Sequence, residues 1–306
     1  MSNKIIIGSR GSKLSLAYAN KVRSLILNTS KIAEENLIIK SIKTSGDLFK
    51  GKKISEIGGK NLFCKEIEDN LINKEIDIAV HSLKDMDSIE TKGLAIKAYI
   101  ERNDPRESFV SKKNEKFSNL KNAKIGSGSR RRELQIKSLN RNIKVENIRG
   151  NVDTRIKKIE EGEYDGAILA VAGLKTLNLE KYIKETFSVD NFIPTAGQGT
   201  IAVQCREDDE QTKKILKNIN HLETEICALA ERSFLRTLGG DCDTAVGCVA
   251  ILKKDILKLN AQLFSDDGKK VFNIIKSGSS NQAILIGKLA GEEILKKSEN
   301  FFEKKR

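Results

Sequence analysis

The 306-residue chain has no tryptophan, two prolines, two methionines, two histidines, and only 5% aromatic residues. With His81 and His221 as the whole histidine complement, a multi-histidine metal site is excluded. So few aromatics also argue against a base-stacking platform for nucleic acid. The cysteines, Cys64, Cys205, Cys227, Cys242 and Cys248, are odd in number and form no CxxC pair, unlike a disulfide framework or zinc knuckle. Apolar runs such as Ile5–Ile7 and Ala283–Ile286 fall far short of the ~20 residues that a membrane-spanning helix needs. The first thirty residues spread Arg10, Lys13, Lys21 and Arg23 through the pattern, with no apolar signal core. A cytoplasmic protein with no membrane partner is the expectation.

What is abundant is charge. Charged residues are 32% and hydrophobic ones 39%, a globular balance, and the formal net charge is +13. Such a surplus favours anionic partners. Lysine often solvates surfaces, whereas arginine more often marks a geometric contact, so the arginines are the residues to follow.

Along the first half, strand-like and helix-like segments alternate. Lys4–Gly8, Leu37–Ile42 and Ile76–Val80 read as strands. Leu14, Tyr18, Val22 and Leu25 or Ile26 fall at helical spacing, as do Phe63, Ile67 and Leu71. That rhythm predicts a largely parallel sheet covered by helices. It breaks at Glu101–Arg106, then restarts with strands at Lys124–Gly126, Lys144–Asn147 and Gly166–Leu169 and helices from Ser129 and Asn151. Pro194–Gly199 is a second break. Two α/β lobes joined by two crossings would enclose a cleft. The expected divisions are 1–100 with 195–218, then 101–194, then a smaller α+β domain at 219–306. In this last part Leu222, Ile226, Ala230, Phe234 and Leu238 predict a helix face. Three antiparallel strands follow, with a turn at Asp266–Gly268, and then a closing helix over Ala283–Lys296.

Gly46–Lys53 nearly matches a phosphate-binding loop, but it lacks the Ser/Thr ligand and a strand leading into it, and reads better as a solvated loop. Ile125–Arg132 is more informative: small residues open a helix, and Arg130, Arg131 and Arg132 fill a first turn where the helix dipole disfavours cations. The alternative is a solvated basic face. Arg149 and Arg155 flank another strand-to-helix turn, and Arg10 with Ser9 and Ser12 follows the first strand. All of these lie at the carboxyl ends of strands, where open α/β sheets bind ligands. Arginine forks match carboxylates, so the convergence predicts a ligand with several carboxylates or phosphates. Lys84 and Asp85 end the strand through Val80. Asp85, amid cations, should stay ionised and stabilise a developing positive charge, unless the two are only a local ion pair. His81 reads as structural. Cys242 sits in a glycine-rich loop, Gly239–Gly247, between Asp241 and Asp243, which should make it a poorer nucleophile. The other four cysteines read as core.

Taken together, Gly58–Glu66, Asp77–Asp85, Arg149–Val152, Gly162–Asp165, Leu169–Leu174, Gly197–Gly199 and the cysteine loop resemble the porphobilinogen deaminase (hydroxymethylbilane synthase) family through nearly the whole chain. The resemblance implies two lobes like those of periplasmic binding proteins and a third α+β domain. It also implies a dipyrromethane cofactor held by a thioether, which it places on Cys242. The implied reaction condenses four porphobilinogen molecules head to tail with loss of ammonia and then releases the linear tetrapyrrole by hydrolysis. Asp85 matches the catalytic aspartate. Lys84, Ser129, Arg131 and Arg132 match cofactor-binding residues, with Asp85 also beside the cofactor. Arg10, Ser12, Arg149 and Arg155 match substrate-binding residues. No metal and no nucleic acid are expected. Arg130 stands where an apolar residue is usual. Thr176 stands where the family commonly has an arginine, so one carboxylate interaction is either absent or passes to Lys175. The competing expectations are a non-catalytic two-lobed binding protein for polycarboxylates, and a nucleic-acid binder that would explain only the net charge.

Overall fold

The computed structural model describes residues 4–48, 62–239, 244–299 and 301–302. The chain begins with strand β1 (Ile5–Arg10), helix α1 (Lys13–Thr29) and strand β2 (Leu37–Ile42). Ser12 caps α1 by accepting from the Ser15 amide at 3.2 Å, meeting one of the amides a helix start leaves unpaired. Tyr18, Ala19, Val22 and Ile26 then recur on one buried face. Covering side chains the size of Val22 and Ile26 contributes roughly 1.5–3 kcal/mol each. After the four-residue helix α2 (Ser45–Leu48) come α3 (Lys65–Ile72), β3 (Ile78–Ser82) and β4 (Leu94–Tyr99).

The chain then crosses through 101–106 into a second sheet. Its elements are β5 (Glu107–Val110), β6 (Lys124–Gly126), α4 (Arg130–Leu139), β7 (Lys144–Glu146), α5 (Val152–Glu160), β8 (Gly166–Ala170), α6 (Val171–Thr176) and β9 (Ile183–Thr186). It returns to the first sheet as β10 (Ile201–Arg206), followed by α7 (Glu210–Lys217).

The two sheets have the same plan. Strand order is β2-β1-β3-β10-β4 in the first and β7-β6-β8-β5-β9 in the second. In each, the first three strands are parallel, while the fourth runs antiparallel to both neighbours. That fourth strand is the one that has just arrived from the other lobe. The outermost strands, β4 and β9, thus point the same way as the parallel three, and the largely parallel reading holds for four strands of each five and fails only for the fourth. Strands β5 and β10 pair with partners far away in sequence, so local periodicity does not expose their direction.

The crossings touch. The Asn103 amide donates to Gly199 O at 2.9 Å, and Gly199 has φ +82°. A Cβ on Gly199 would lie 2.4 Å from Asn103 O, so only glycine lets the two backbones meet. Arg102 and Glu231 fasten this junction to the third part of the molecule. Glu231 is fully buried, pairs with Arg102 at 2.7 Å, and accepts from the amides of Gly197 (2.6 Å) and Ala250 (2.7 Å).

That third part consists of α8 (Leu222–Leu238), an antiparallel meander β11 (Val246–Lys253), β12 (Ile256–Phe264) and β13 (Val271–Ser279), and α9 (Ala283–Ser298). Gly268, with φ +73°, makes the turn expected at Asp266–Gly268. Ala230, Phe234 and Leu238 are fully buried in its core and Ile226 packs against it, but Leu222 is 65% exposed. Leu222 opens the helix beyond the packed face, where His221 acts as the cap. Cys64, Cys205, Cys227 and Cys248 are all buried, as their apolar neighbours imply.

Candidate functional site

Strand ends from both sheets face one another. A short 3-10 turn, Leu83–Asp85, follows β3 and presents Lys84 and Asp85. From the second lobe come Arg132 on α4, Arg149 after β7, and Arg155 on α5. These groups are electrostatic neighbours. Burial pushes the Arg155 pKa down to about 10, the charges of Arg132 and Arg149 push the same way, and Asp85 opposes them. By surface area Lys84 is exposed, whereas protein atoms surround it as densely as in the interior. The surroundings govern its charge, because water in a crevice screens less than bulk water. Its pKa is lowered by desolvation first; Asp85 resists this, and Arg132 and Arg155 add to it. Arg155 Nε donates to Gly150 O at 2.8 Å, which holds its side chain against the turn.

Two expected ligands of the site have internal tasks. Ser12 and Ser129 are the N-caps of α1 and α4, with Ser129 Oγ accepting from the Arg132 amide at 3.4 Å. The arginines that conflict with the α4 dipole are reconciled by a residue that sequence reasoning missed. Glu107, fully buried on β5, accepts from Arg131 Nη2 at 2.7 Å and from Arg132 Nε and Nη2 at 2.9 and 2.8 Å. The two guanidinium groups outweigh its desolvation and hold the carboxyl at about 2. Arg131 Nη1 also donates to Ile193 O, so Arg131 is set behind Arg132. Arg130 points outward and pairs with Glu133 at 3.0 Å.

On the first lobe a small cavity is lined by Arg10, Phe63, Cys64, His81 and Asp85, among others. The Cys64 thiol donates to Asp85 O at 3.4 Å, and its pKa is raised by burial and by the charges of Asp85 and Glu68, which keeps it protonated and unreactive. His81 is buried against Gln204 at 3.2 Å, and Gln204 in turn donates to Glu68 at 3.0 Å. Because the Gln204 amide nitrogen serves the carboxylate, its oxygen faces His81, which places the imidazole proton on Nε2. Burial lowers the His81 pKa and favours the neutral ring, consistent with a structural role.

Across the cleft, the Tyr18 phenol bonds to Thr176. Its pKa is pushed up to about 12, chiefly by burial, with Asp85 adding to the rise. Thr176 Oγ1 also donates to Ala172 O at 2.8 Å. Lys175 lies 3.5 Å from Asp104, so it is drawn to that carboxylate. Cys242, with Asp241 and Asp243, lies outside the described residues, as do residues 49–53 of the near phosphate loop.

Residues 5–214 match the family model described as porphobilinogen deaminase, dipyromethane cofactor binding domain, and residues 225–296 match that of its C-terminal domain. The chain belongs to the porphobilinogen deaminase family. It is 41% identical over 301 residues to the porphobilinogen deaminase of Chlorobium limicola, covering 97% of this chain and 96% of that one. It is 42% identical over 289 residues to that of Syntrophomonas wolfei, covering 94% and 92%. Among solved structures, the periplasmic VFT2 domain of Bordetella pertussis BvgS aligns with 71% of this chain and 86% of its own at 12% identity, with a TM-score of 0.43, too weak a likeness to argue from.

The family's cofactor is a dipyrromethane, and the residues present fit such a group. Arg132, Arg149, Arg155 and Lys84 crowd one place with Asp85 as the carboxylate among them, and the Arg10 Nε is buried without a hydrogen-bond partner. Cations in that excess suit a ligand that brings its own carboxylates. No described helix is long and apolar enough to cross a membrane.

Proposed function

We propose that this chain is a hydroxymethylbilane synthase. It joins four porphobilinogen units head to tail, releases an ammonia at each addition, and frees the linear tetrapyrrole by hydrolysis. The observation that carries the reading is one carboxylate, Asp85, facing a cluster of cations from both lobes. Arg132, Arg149, Arg155 and Lys84 bind the acetate and propionate groups of the pyrroles and fix the rings over Asp85. Arg10 receives a further carboxylate from the first lobe. Departure of ammonia leaves positive charge on the substrate pyrrole, and Asp85 stabilises it by an ionised carboxylate already in place. Preorganised charge of this kind typically contributes about 10²–10³ in rate. The dipyrromethane, when bound, supplies the nucleophilic pyrrole to which new units are added, and Cys242 carries it through a thioether.

The molecule divides for this task into 1–100 with 195–218, 101–194, and 219–306, the last carrying Cys242. We place the protein in the cytoplasm as a monomer, acting on a small anionic substrate rather than on nucleic acid.

The test begins with the intact mass of the denatured protein, followed by peptide mapping. Two linked pyrrole units on Cys242 are expected, together with ammonia release from porphobilinogen. Asp85→Asn is expected to retain that mass while turnover falls about 100-fold or more. Near-normal turnover in that variant would remove Asp85 from the mechanism. Reversible binding of porphobilinogen by the unmodified wild type, with no ammonia formed, would establish a binding protein instead.

A further inference from the structure

Arg10 is assigned to a ligand carboxylate, yet it already holds one belonging to the protein. Its Nη2 donates to Asp47 Oδ1 at 2.5 Å, while its guanidinium lies 4.1 Å from the centre of the Phe63 ring. Asp47 has its own anchor: Oδ2 accepts from Thr44 Oγ1 at 2.9 Å and from the Thr44 amide at 3.3 Å. Arg10 Nε, in contrast, is buried and has no hydrogen-bond partner. Nε–H and Nη2–H form the edge of a guanidinium that grips a carboxylate through two parallel bonds. Asp47 takes one of those two donors and leaves the other unmet. The same arginine lines the cavity that contains Asp85.

We propose that Asp47 is an internal stand-in for the ligand carboxylate, holding Arg10 and yielding it when a porphobilinogen carboxylate takes both Nε–H and Nη2–H. The identity of the ligand rests on the function proposed above; the exchange itself rests on the Arg10–Asp47 geometry. Asp47 is suited to yield because its side chain is 28% exposed and the Thr44 bonds persist after Arg10 leaves. Displacement therefore breaks one charge-assisted bond and makes two, while satisfying a donor that had none. In this scheme Asp47 is a positioning residue. It keeps the guanidinium aimed over Phe63, and its negative charge weakens binding of any competing anion.

The test is a comparison of binding in an Asp85→Asn background, which separates affinity from turnover. Adding Asp47→Asn keeps an acceptor for Thr44 and removes the competing charge. Calorimetric titration with porphobilinogen is expected to give a Kd about three- to tenfold tighter. Asp47→Glu, which retains the charge, is expected to give no tightening. An unchanged or weaker Kd in folded Asp47→Asn protein overturns the proposal, because a purely structural Asp47 would loosen the site when its ion pair is lost. If that variant does not fold, the wild-type holoenzyme decides. A crystal structure with porphobilinogen bound is expected to show Arg10 Nε and Nη2 on the ligand and Asp47 more than about 4 Å away. An intact Arg10–Asp47 pair beside bound ligand overturns the proposal. Failure of the activity reading is distinct: wild-type protein binds porphobilinogen without releasing ammonia, and the Kd comparison still stands. Absence of any binding overturns both.

Discussion

Replacing Glu107 by glutamine tests what holds the arginines of α4 at the cleft wall. The native carboxylate is fully buried and takes bonds of 2.7, 2.9 and 2.8 Å from Arg131 and Arg132. Glutamine keeps the shape and one acceptor oxygen but leaves two buried cations without that counter-charge. Removing one partner of a buried ion pair costs about 3–5 kcal/mol. An exposed pair such as Lys13–Asp153, 3.5 Å apart between the lobes, contributes about 0–1 kcal/mol. Proton linkage gives a second route to the same magnitude. The Glu107 pKa falls from 4.5 to about 2 on folding, a shift on the order of 3 kcal/mol. Since the folded value is depressed, this stabilisation is fully present above pH 4.5 and is lost as pH falls through about 2. Hydrogen exchange at the β5 and α4 amides reads the loss locally, without treating a chain of several lobes as two-state. The variant is expected to lose about 3–5 kcal/mol of protection at pH 7, and its difference from wild type should narrow as pH is lowered toward 3. A loss below about 1 kcal/mol, or a difference that ignores pH, would refute the clamp.

Two further perturbations probe the junction between the lobes. Gly199→Ala forces a Cβ to within 2.4 Å of Asn103 O at a φ of +82°, and thermal or urea unfolding is expected to show a cost of about 2 kcal/mol or more; a neutral result would mean the crossings can separate freely. Tyr18→Phe removes the phenol that reaches Thr176 and should cost about 0.5–1.5 kcal/mol at neutral pH. The raised Tyr18 pKa keeps that contribution intact below pH 10, and it fades as pH rises through about 12; ultraviolet titration of wild type against Tyr18→Phe checks it, and ionisation of Tyr18 near pH 10 would contradict the burial argument.

The cations of the site were legible in the sequence, but the carboxylates that set their charge and aim were not, and the difference has a physical origin. Arg10, Lys84, Arg132, Arg149 and Arg155 each sit at or just after a strand-to-helix turn, so local pattern and topology alone place them at one end of a sheet. Strands β2 and β6 emerge at their expected bounds, and α4 and α5 start at their expected caps, for the same local reason. Glu107 reaches Arg131 and Arg132 from 24 and 25 residues away, Asp47 reaches Arg10 from 37, and Glu231 reaches Arg102 from 129. Each comes from an element whose own sequence gives no sign of its partner, just as β10 gives none of its place between β3 and β4. Glu107 left one readable trace: a carboxylate opening the short strand β5, two residues before the Phe109–Val110 pair, where burial without a cation would be prohibitive. The consequence reaches the chemistry. The single Glu107 carboxylate offsets one of the two charges of Arg131 and Arg132, and Asp47 offsets that of Arg10 until it is displaced, so a polyanionic ligand meets fewer uncompensated charges than there are arginines. Counting arginines in the sequence overstates the field of the cleft. The field that acts on substrate is set by which of them already have a buried carboxylate.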